Sequence, residues 1–268
     1  MHRLLRELDR IDLGTTSRRR ATTELGRRVT AVALGVLVVA VVGLAFAHKQ
    51  FGVRVTSSGV VRSLPLGTPP AVMETGGTFR FLRTQAGRPG VPVAYDPCRT
   101  VRYEVNVDLA PPGGDRIIRS AVQSISAATG LVFEHVGPTH RLPSRRVMSS
   151  RRLPVLVAWT TPDTVPELAG RVAGLGGSTA VLDDYADELE YVTGTVSLDA
   201  PQLQTVLAQP GGSSHVRAIV MHELGHLVGL DHVSDSNELM HQDNVGQLDL
   251  GPGDREALAA LGSGRCFH

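Results

Sequence analysis

The sequence predicts an α+β domain that is preceded by one N-terminal transmembrane helix. Two observations define these parts: residues 29–47 form an uncharged apolar run, and segments with strand-like alternation and with helical spacing follow one another over the rest of the chain. The composition agrees with a folded protein, because 42% of the 268 residues are hydrophobic and 20% are charged. This length suffices for one good-sized domain with appendages.

The apolar run is long enough to cross a membrane. Its 19 residues would make a helix about 28 Å long, close to the hydrocarbon thickness of a bilayer. Arginines precede it at positions 18, 19, 20, 27 and 28, whereas only Lys49 and Arg54 follow closely, so residues 1–28 are expected in the cytoplasm and the C-terminal part outside the cell. A signal peptide cleaved after Ala47, which would give a secreted protein, is the alternative. The length of the run favours a retained single-pass anchor in the cell membrane.

Residues 48–77 are rich in turn-forming residues and are interpreted as a stalk or linker, and residues 78–268 as the folded domain. Alternation and helical spacing predict the elements of this domain in order. We expect a strand near Phe79, a strand over 100–107, a helix over 116–129 that ends at Gly130, strands over 131–136, 153–160 and 191–199, a helix from about Ser214, and an amphipathic helix over 253–261.

The most informative stretch is HELGHLVGLDH, residues 222–232. His222 and His226 are four residues apart, so on one helix both can direct a nitrogen at the same ion, with Glu223 beside it. A continuing helix would carry His232 about 15 Å beyond His222, which is too far for a shared ion, so the chain has to fold back. Gly229 is the residue at which the chain can turn with the least strain, because glycine adopts a positive φ easily and often ends helices.

The pattern predicts a catalytic rather than a structural zinc site. A structural site would have a fourth protein ligand, usually cysteine, and no cysteine is close in sequence. Three histidine ligands instead leave one position open to water. Glu223 is then expected to be the general base that takes a proton from this water and delivers it to the leaving amine.

The chain from about Tyr95 to the C-terminus resembles the metzincin superfamily of zinc endopeptidases, and within it the matrixin branch, and the resemblance is specific from Ala218 to Leu261. Met240 follows His232 by eight residues, and the resemblance implies that it lies in a methionine turn beneath the zinc. It also implies a twisted mixed sheet with two helices against it and a C-terminal helix that begins with Asp. Residues 174–182 are implied to be the edge strand that pairs with an extended protein or peptide substrate.

The expected export of the domain affects the expected redox state of Cys98 and Cys266. Outside the cytoplasm a disulfide is favoured, and one bridge would close a loop of about 170 residues near the two ends of the domain. A latency cysteine that binds the zinc is the alternative, but the sequence around Cys98 does not match the propeptide pattern of matrixins. We therefore expect one intramolecular disulfide.

Charge and composition limit the other partners. Residues 1–28 carry eight Arg against four acidic residues, which leaves residues 29–268 with a net charge of −3, and only 4% of all residues are aromatic. A nucleic-acid partner is therefore not expected. Separately, the chain is expected to be a monomer. The acidic residues Asp183, Asp184, Asp187 and Glu188 suggest calcium as a further cofactor, but no calcium motif supports it and a solvated loop is the preferred interpretation.

Two other functions remain compatible with the ligands. One is a non-catalytic, zinc-stabilised binding domain on the cell surface, and the other is a zinc hydrolase that acts on other amides. Glu223 argues against the first, because a binding domain has no need for a carboxylate at this position.

Overall fold

A computed structural model describes residues 64–73, 75–144, 153–183, 187–243 and 246–267. All of them belong to one compact unit, Arg62–His268. Residues 1–28, the predicted anchor at 29–47 and the first part of the predicted stalk lie outside the described residues, so these assignments stay predictions. Within the described ranges, no helix combines the length and the apolar character needed to cross a bilayer.

The described residues form a mixed sheet and a small hairpin, which confirms the predicted mixed sheet. The strands are β1 (Thr84–Gln85), β2 (Arg88–Pro92), β3 (Ala94–Tyr95), β4 (Val101–Asn106), β5 (Phe133–Thr139), β6 (Val155–Thr160), β7 (Gly174–Asp183) and β8 (Glu188–Asp199). β1 and β2 pair only with each other, and the larger sheet has the order β3-β8-β6-β4-β5 with parallel pairing. β7 pairs with β8 in antiparallel orientation.

β7 lies at an edge of the sheet. Along one side of β8, β3 pairs with residues 190–191 and β6 with residues 195–199, while β7 pairs along nearly the whole of β8 on the other side. The predicted edge strand at 174–182 is thus a strand, and it lies where the resemblance implied.

Four α-helices occur among the described residues: α1 (Gly114–Thr129), α2 (Ala200–Leu207), α3 (Gly212–Val228) and α4 (Pro252–Gly262). α1 ends where predicted, because Gly130 takes the left-handed φ of 73° that closes a helix. α2 was not predicted from the sequence. Its N-terminus is capped by Asp199, whose side chain accepts a hydrogen bond from the backbone of Gln202.

The core lies between the sheet and the two long helices, α1 and α3. All six residues of β6 are buried, and α1 contributes Ile118 and Ile125 while α3 contributes Leu224 and Leu227. Each such side chain stabilises the fold by about 1.5–3 kcal/mol relative to its exposed state. α3 therefore has apolar neighbours along most of its length, and this packing fixes the helix that carries the histidines.

The strand predicted near Phe79 is wrong. Residues 77–82, which we call the N-terminal strap, belong to no strand. Within the described ranges their one bridge is isolated and joins Phe81 to Leu230. Leu82 N–H donates to the carbonyl of Gly229, and Asp231 N–H donates to the carbonyl of Arg80, both at 2.8 Å. The partner segment is the turn that follows α3, and it bends away too soon for a ladder to extend. The alternating pattern therefore marks a segment that lies against one side of this turn.

The chain before the strap also contacts the domain. Leu66 N–H donates to the carbonyl of Pro97 at 2.9 Å, and Gly67 lies so close to Gly130 that a Cβ atom there would overlap the carbonyl of Gly130. Residues 66 and 67, which were predicted to belong to the stalk, therefore pack against the domain at Pro97 and at Gly130, the end of α1.

The predicted disulfide between Cys98 and Cys266 is confirmed. The two Cα atoms are 5.3 Å apart although 168 positions separate them in the sequence. Asp96 supports the bridge, because its carboxylate accepts hydrogen bonds from Cys98 N–H (2.9 Å) and from Arg99 Nε (2.8 Å). The bridge joins the loop before β4 to the segment after α4.

Removing this bridge should destabilise the domain. The double substitution Cys98→Ser and Cys266→Ser should lower the free energy of unfolding by about 2–5 kcal/mol, because the unfolded chain regains the conformational entropy of a long closed loop. Chemical denaturation followed by circular dichroism measures this change. Wild-type protein in excess reductant is the control and should match the double variant. Equal stability of the oxidised wild type and the variant would contradict a stabilising bridge.

Candidate metal centre

Helix α3 carries His222, Glu223 and His226, and it ends at Gly229 with a φ of 124°. This backbone conformation strains any residue with a side chain. Space is also limited, because a Cβ atom at Gly229 would lie 3.0 Å from Leu261 and 3.2 Å from Tyr191. The chain reverses here, as predicted, and the next loop brings His232 back to the helix.

The three histidines converge on one point. Nε2 of His232 lies 3.1 Å from Nε2 of His222 and 3.1 Å from Nε2 of His226. Nitrogens that bind one tetrahedral zinc at about 2.0–2.1 Å are about 3.3 Å from each other. The spacing of the imidazoles therefore fits zinc.

Hydrogen bonds on the other ring nitrogens fix which atoms can bind a metal. Nδ1 of His222 is 2.8 Å from the carbonyl of Leu239, and Nδ1 of His226 is 2.9 Å from the carbonyl of Leu230. A carbonyl oxygen only accepts, so both Nδ1 atoms carry a proton and both Nε2 atoms present lone pairs. Nε2 of His232 can donate a hydrogen bond to only one of these two Nε2 atoms at a time. A cation at the centre satisfies all three nitrogens.

The charge state of the histidines also suits a metal. Burial lowers the pKa of all three, and for His222 it lowers the pKa to about 3, with the neighbouring His226 adding to the effect. The rings are therefore neutral at neutral pH, which is the form that binds zinc. Among the described residues, no cysteine or fourth histidine joins these three neutral nitrogens, and three histidines make up the donor set of a catalytic zinc site.

Glu223 points from α3 towards the edge strand β7. Burial raises the pKa of Glu223 to about 8, and a hydrogen bond from Gly176 N–H to its carboxylate partly offsets this increase. The contact with β7 is close: a Cβ atom at Gly174 would lie 2.6 Å from Cγ of Glu223, and one at Gly176 would overlap the carbonyl of Glu223. Glycines at these two positions let the strand approach the helix, so the side chain of Glu223 lies against β7.

Met240 lies directly against α3. It is buried, and a Cβ atom at Gly225 would lie 2.6 Å from its sulfur. Gly225 is the residue before His226, so the methionine packs at the level of the ligands. The position beneath a zinc ion that the resemblance implies for Met240 stays a prediction.

Comparisons with known proteins agree with the motif. The matrixin family model matches residues 175–261, which include β7, α3, the three histidines, Met240 and nearly all of α4. This segment is matrixin-like. The predicted resemblance is thereby confirmed over the part of the chain that contains the candidate metal centre. A comparison with curated proteins finds no match.

Two solved structures share only general similarity with the chain. The GM1-bound form of the ECX AB5 holotoxin is 12% identical with a TM-score of 0.37, and the match covers 62% of this chain and 81% of that one. Archaemetzincin from Methanopyrus kandleri is 17% identical with a TM-score of 0.38, covering 60% of this chain and 93% of that one. Similarity at this level does not define a common fold.

Two buried carboxylates join the methionine turn of the matrixin-like segment to α4. Glu238 accepts hydrogen bonds from Gly253 N–H (2.9 Å) and Asp254 N–H (3.0 Å), and thereby caps the start of α4. Asp254 accepts hydrogen bonds from Leu239 N–H (2.5 Å) and Gly251 N–H (2.8 Å). Burial raises the pKa of Asp254. The carbonyl of Leu239, which holds His222, is therefore placed by α4. Sequence reasoning did not single out Glu238, because its partners are about 15 residues away and form no local pattern.

The acidic residues considered for calcium do not form a common site among the described residues. Glu188 binds two arginines, with one oxygen 2.6 Å from Arg88 and the other 2.6 Å from Arg265. Asp184 lies outside the described residues. Both oxygens of Glu188 are thus engaged in ion pairs between β2, β8 and the C-terminal segment.

Neighbouring glycines of β7 give a matched test of the contact with Glu223. Gly176→Ala should lower the free energy of unfolding by about 1–3 kcal/mol, because the added carbon collides with the backbone of α3. Gly177→Ala should change it by less than about 1 kcal/mol. In the described part of the chain, a Cβ atom at Gly177 would meet nothing within 4 Å. Thermal and chemical denaturation of both variants measures the difference, and equal stabilities would contradict the close approach of β7 to α3.

Proposed function

We propose that the chain is a membrane-anchored, extracellular zinc endopeptidase. The observation that carries this proposal is the convergence of three neutral histidine nitrogens, two of them on the helix that also carries the buried carboxylate of Glu223. His222, His226 and His232 would hold the zinc, and Glu223 would act as the general base. The match of the matrixin family model to this segment supports the assignment.

A zinc ion held by three histidines supplies Lewis acidity, which lowers the pKa of water beside it and polarises a carbonyl group. The protein supplies the proton transfer. Burial raises the pKa of Glu223 in the metal-free protein, and a dication nearby would lower it again and so favour the ionised carboxylate that can accept a proton. Glu223 takes a proton from the attacking water and gives it to the nitrogen of the leaving amine.

The sheet edge explains how a peptide would be oriented. β7 pairs with β8 on one side, and among the described residues no strand pairs with its other side. An extended peptide can use the remaining backbone groups of β7 as an added strand. The bond to be cleaved would then pass close to Glu223, since Gly174 and Gly176 of this strand contact that residue.

Replacing the general base tests the proposed chemistry. Glu223→Ala should lower kcat for peptide hydrolysis by about 10²–10⁴-fold, because the proton acceptor is lost. It should still bind one zinc ion, since Glu223 is not a ligand. Cleavage of a peptide library followed by mass spectrometry, together with metal analysis, measures both quantities.

Glu134→Ala is the matched control for this substitution. Glu134 is an exposed glutamate on β5 at the opposite edge of the sheet, so its removal should leave hydrolysis unchanged. Wild-type activity in Glu223→Ala would disprove its role as the base. A wild-type protein that binds zinc but cleaves no peptide would favour a binding domain or a hydrolase of other amides.

The membrane topology has its own test. We expect residues 29–47 to remain as the anchor, with residues 1–28 in the cytoplasm and residues 48–268 outside the cell, because the run is long and the arginines precede it. The Cys98–Cys266 bridge supports an oxidising compartment for the domain. Membrane fractionation and intact mass measurement decide between the alternatives. A soluble product that begins at His48 would indicate a cleaved signal peptide instead.

A further inference from the structure

We propose that Arg80, on the N-terminal strap, is a positioning residue that holds the third zinc ligand in place through Asp231. This inference rests on the proposed zinc site and adds to it a residue from a segment about 150 positions away in the sequence. Arg80 lies outside the segment that the matrixin model matches.

His232 needs support that the other ligands do not. His222 and His226 belong to α3, so their backbone is fixed by helical hydrogen bonds and by core packing. His232 follows the last residue of the helix by four positions and lies in a loop without regular structure. Its ring can meet the other two only if the backbone of this loop keeps one conformation.

Asp231 fixes that backbone from one side. One carboxylate oxygen accepts a hydrogen bond from the N–H of His232 at 2.8 Å. The other accepts from Nε of Arg80, also at 2.8 Å. Because both oxygens are engaged, the Asp231 side chain cannot rotate without breaking a charge-assisted hydrogen bond. Arg80 thereby keeps Asp231 in the orientation that holds His232.

The strap itself does not depend on the Arg80 side chain. The carbonyl of Arg80 accepts a hydrogen bond from Asp231 N–H, and Leu82 N–H donates to the carbonyl of Gly229. At the other end, Thr78 N–H donates to Glu238 at 3.3 Å. None of these contacts uses the Arg80 side chain, so they remain when residue 80 is changed. A substitution at Arg80 therefore removes the side-chain contact with Asp231 and leaves the strap in place.

The solvent exposure of the Arg80 and Asp231 side chains favours a role of Arg80 in positioning His232 over a role in stabilising the fold. The Arg80 side chain is 65% exposed and that of Asp231 is 27% exposed, and an ion pair this close to solvent contributes little to the stability of the fold. Hydrogen-bond partners of metal-site residues, in contrast, change metal affinity when they are removed. Loss of Arg80 should thus alter the metal site more than the stability of the metal-free protein.

The test uses the purified full-length chain and zinc as the probe. Zinc affinity is measured by competition with a chromophoric chelator, and ligand geometry by the visible spectrum of the cobalt-substituted protein. Asp231→Asn should weaken zinc binding about 10–100-fold, the range known for such partners. Arg80→Ala should weaken it by less, about 3–10-fold, because Arg80 acts on His232 only through Asp231. The double variant should be no weaker than Asp231→Asn, because both substitutions break the same chain of contacts. Arg80→Lys, which keeps the charge, should recover part of the affinity.

Arg83→Ala is the matched control, since Arg83 is an exposed arginine three residues further along the chain, directly after the strap. It should leave both zinc affinity and the cobalt spectrum unchanged. Wild-type affinity and an unchanged spectrum in Arg80→Ala would overturn the inference while the proposed function stands. A fall in the Tm of the metal-free protein that accounts for the lost affinity would also overturn it, by showing a role in folding. A wild-type chain that binds no zinc would overturn the proposed function and this inference together.

Discussion

The reversal of the chain at Gly229 is the constraint on which the candidate site depends. A straight helix can present two histidines to one ion but not three, so α3 has to end within one turn of His226. The φ of 124° and the nearby side chains of Leu261 and Tyr191 both require glycine at this point. The turn is also where the N-terminal strap lies against the helix end, so the geometry of the metal centre and the path of the first residues of the domain are determined together.

Backbone groups, more than side chains, hold the site in shape. The carbonyls of Leu239 and Leu230 orient two of the imidazoles, and the N–H of Gly176 contacts Glu223. Two of these groups belong to elements that are fixed elsewhere. β7 is fixed by its pairing with β8, and the turn around Leu239 by Asp254, whose carboxylate accepts from Leu239 N–H and whose own N–H donates to Glu238. The orientation of the ligands therefore depends on how the sheet, the turn and α4 pack around α3.

Local patterns predicted the local structure well. The spacing of apolar residues and the closing glycine located α1, and the histidine spacing located the end of α3, because both signals act within a few residues. The strap was misassigned as a strand, since alternation indicates a half-buried extended segment but not whether another strand pairs with it. α2 was missed because only eight residues and a capping Asp199 mark it. The contacts of Arg80, Glu238 and Gly176 join distant segments, and no sequence spacing encodes them.

The disulfide determines what happens to the domain when its backbone is cut once. Cys98 and Cys266 enclose β4, α1, the sheet edge and all three histidines within a single ring of chain. If the backbone is cut once anywhere inside this ring, the two pieces stay linked, so one break neither releases a fragment nor separates the histidines from the sheet. A domain closed in this way keeps its two parts covalently linked after a nick that would divide an open chain.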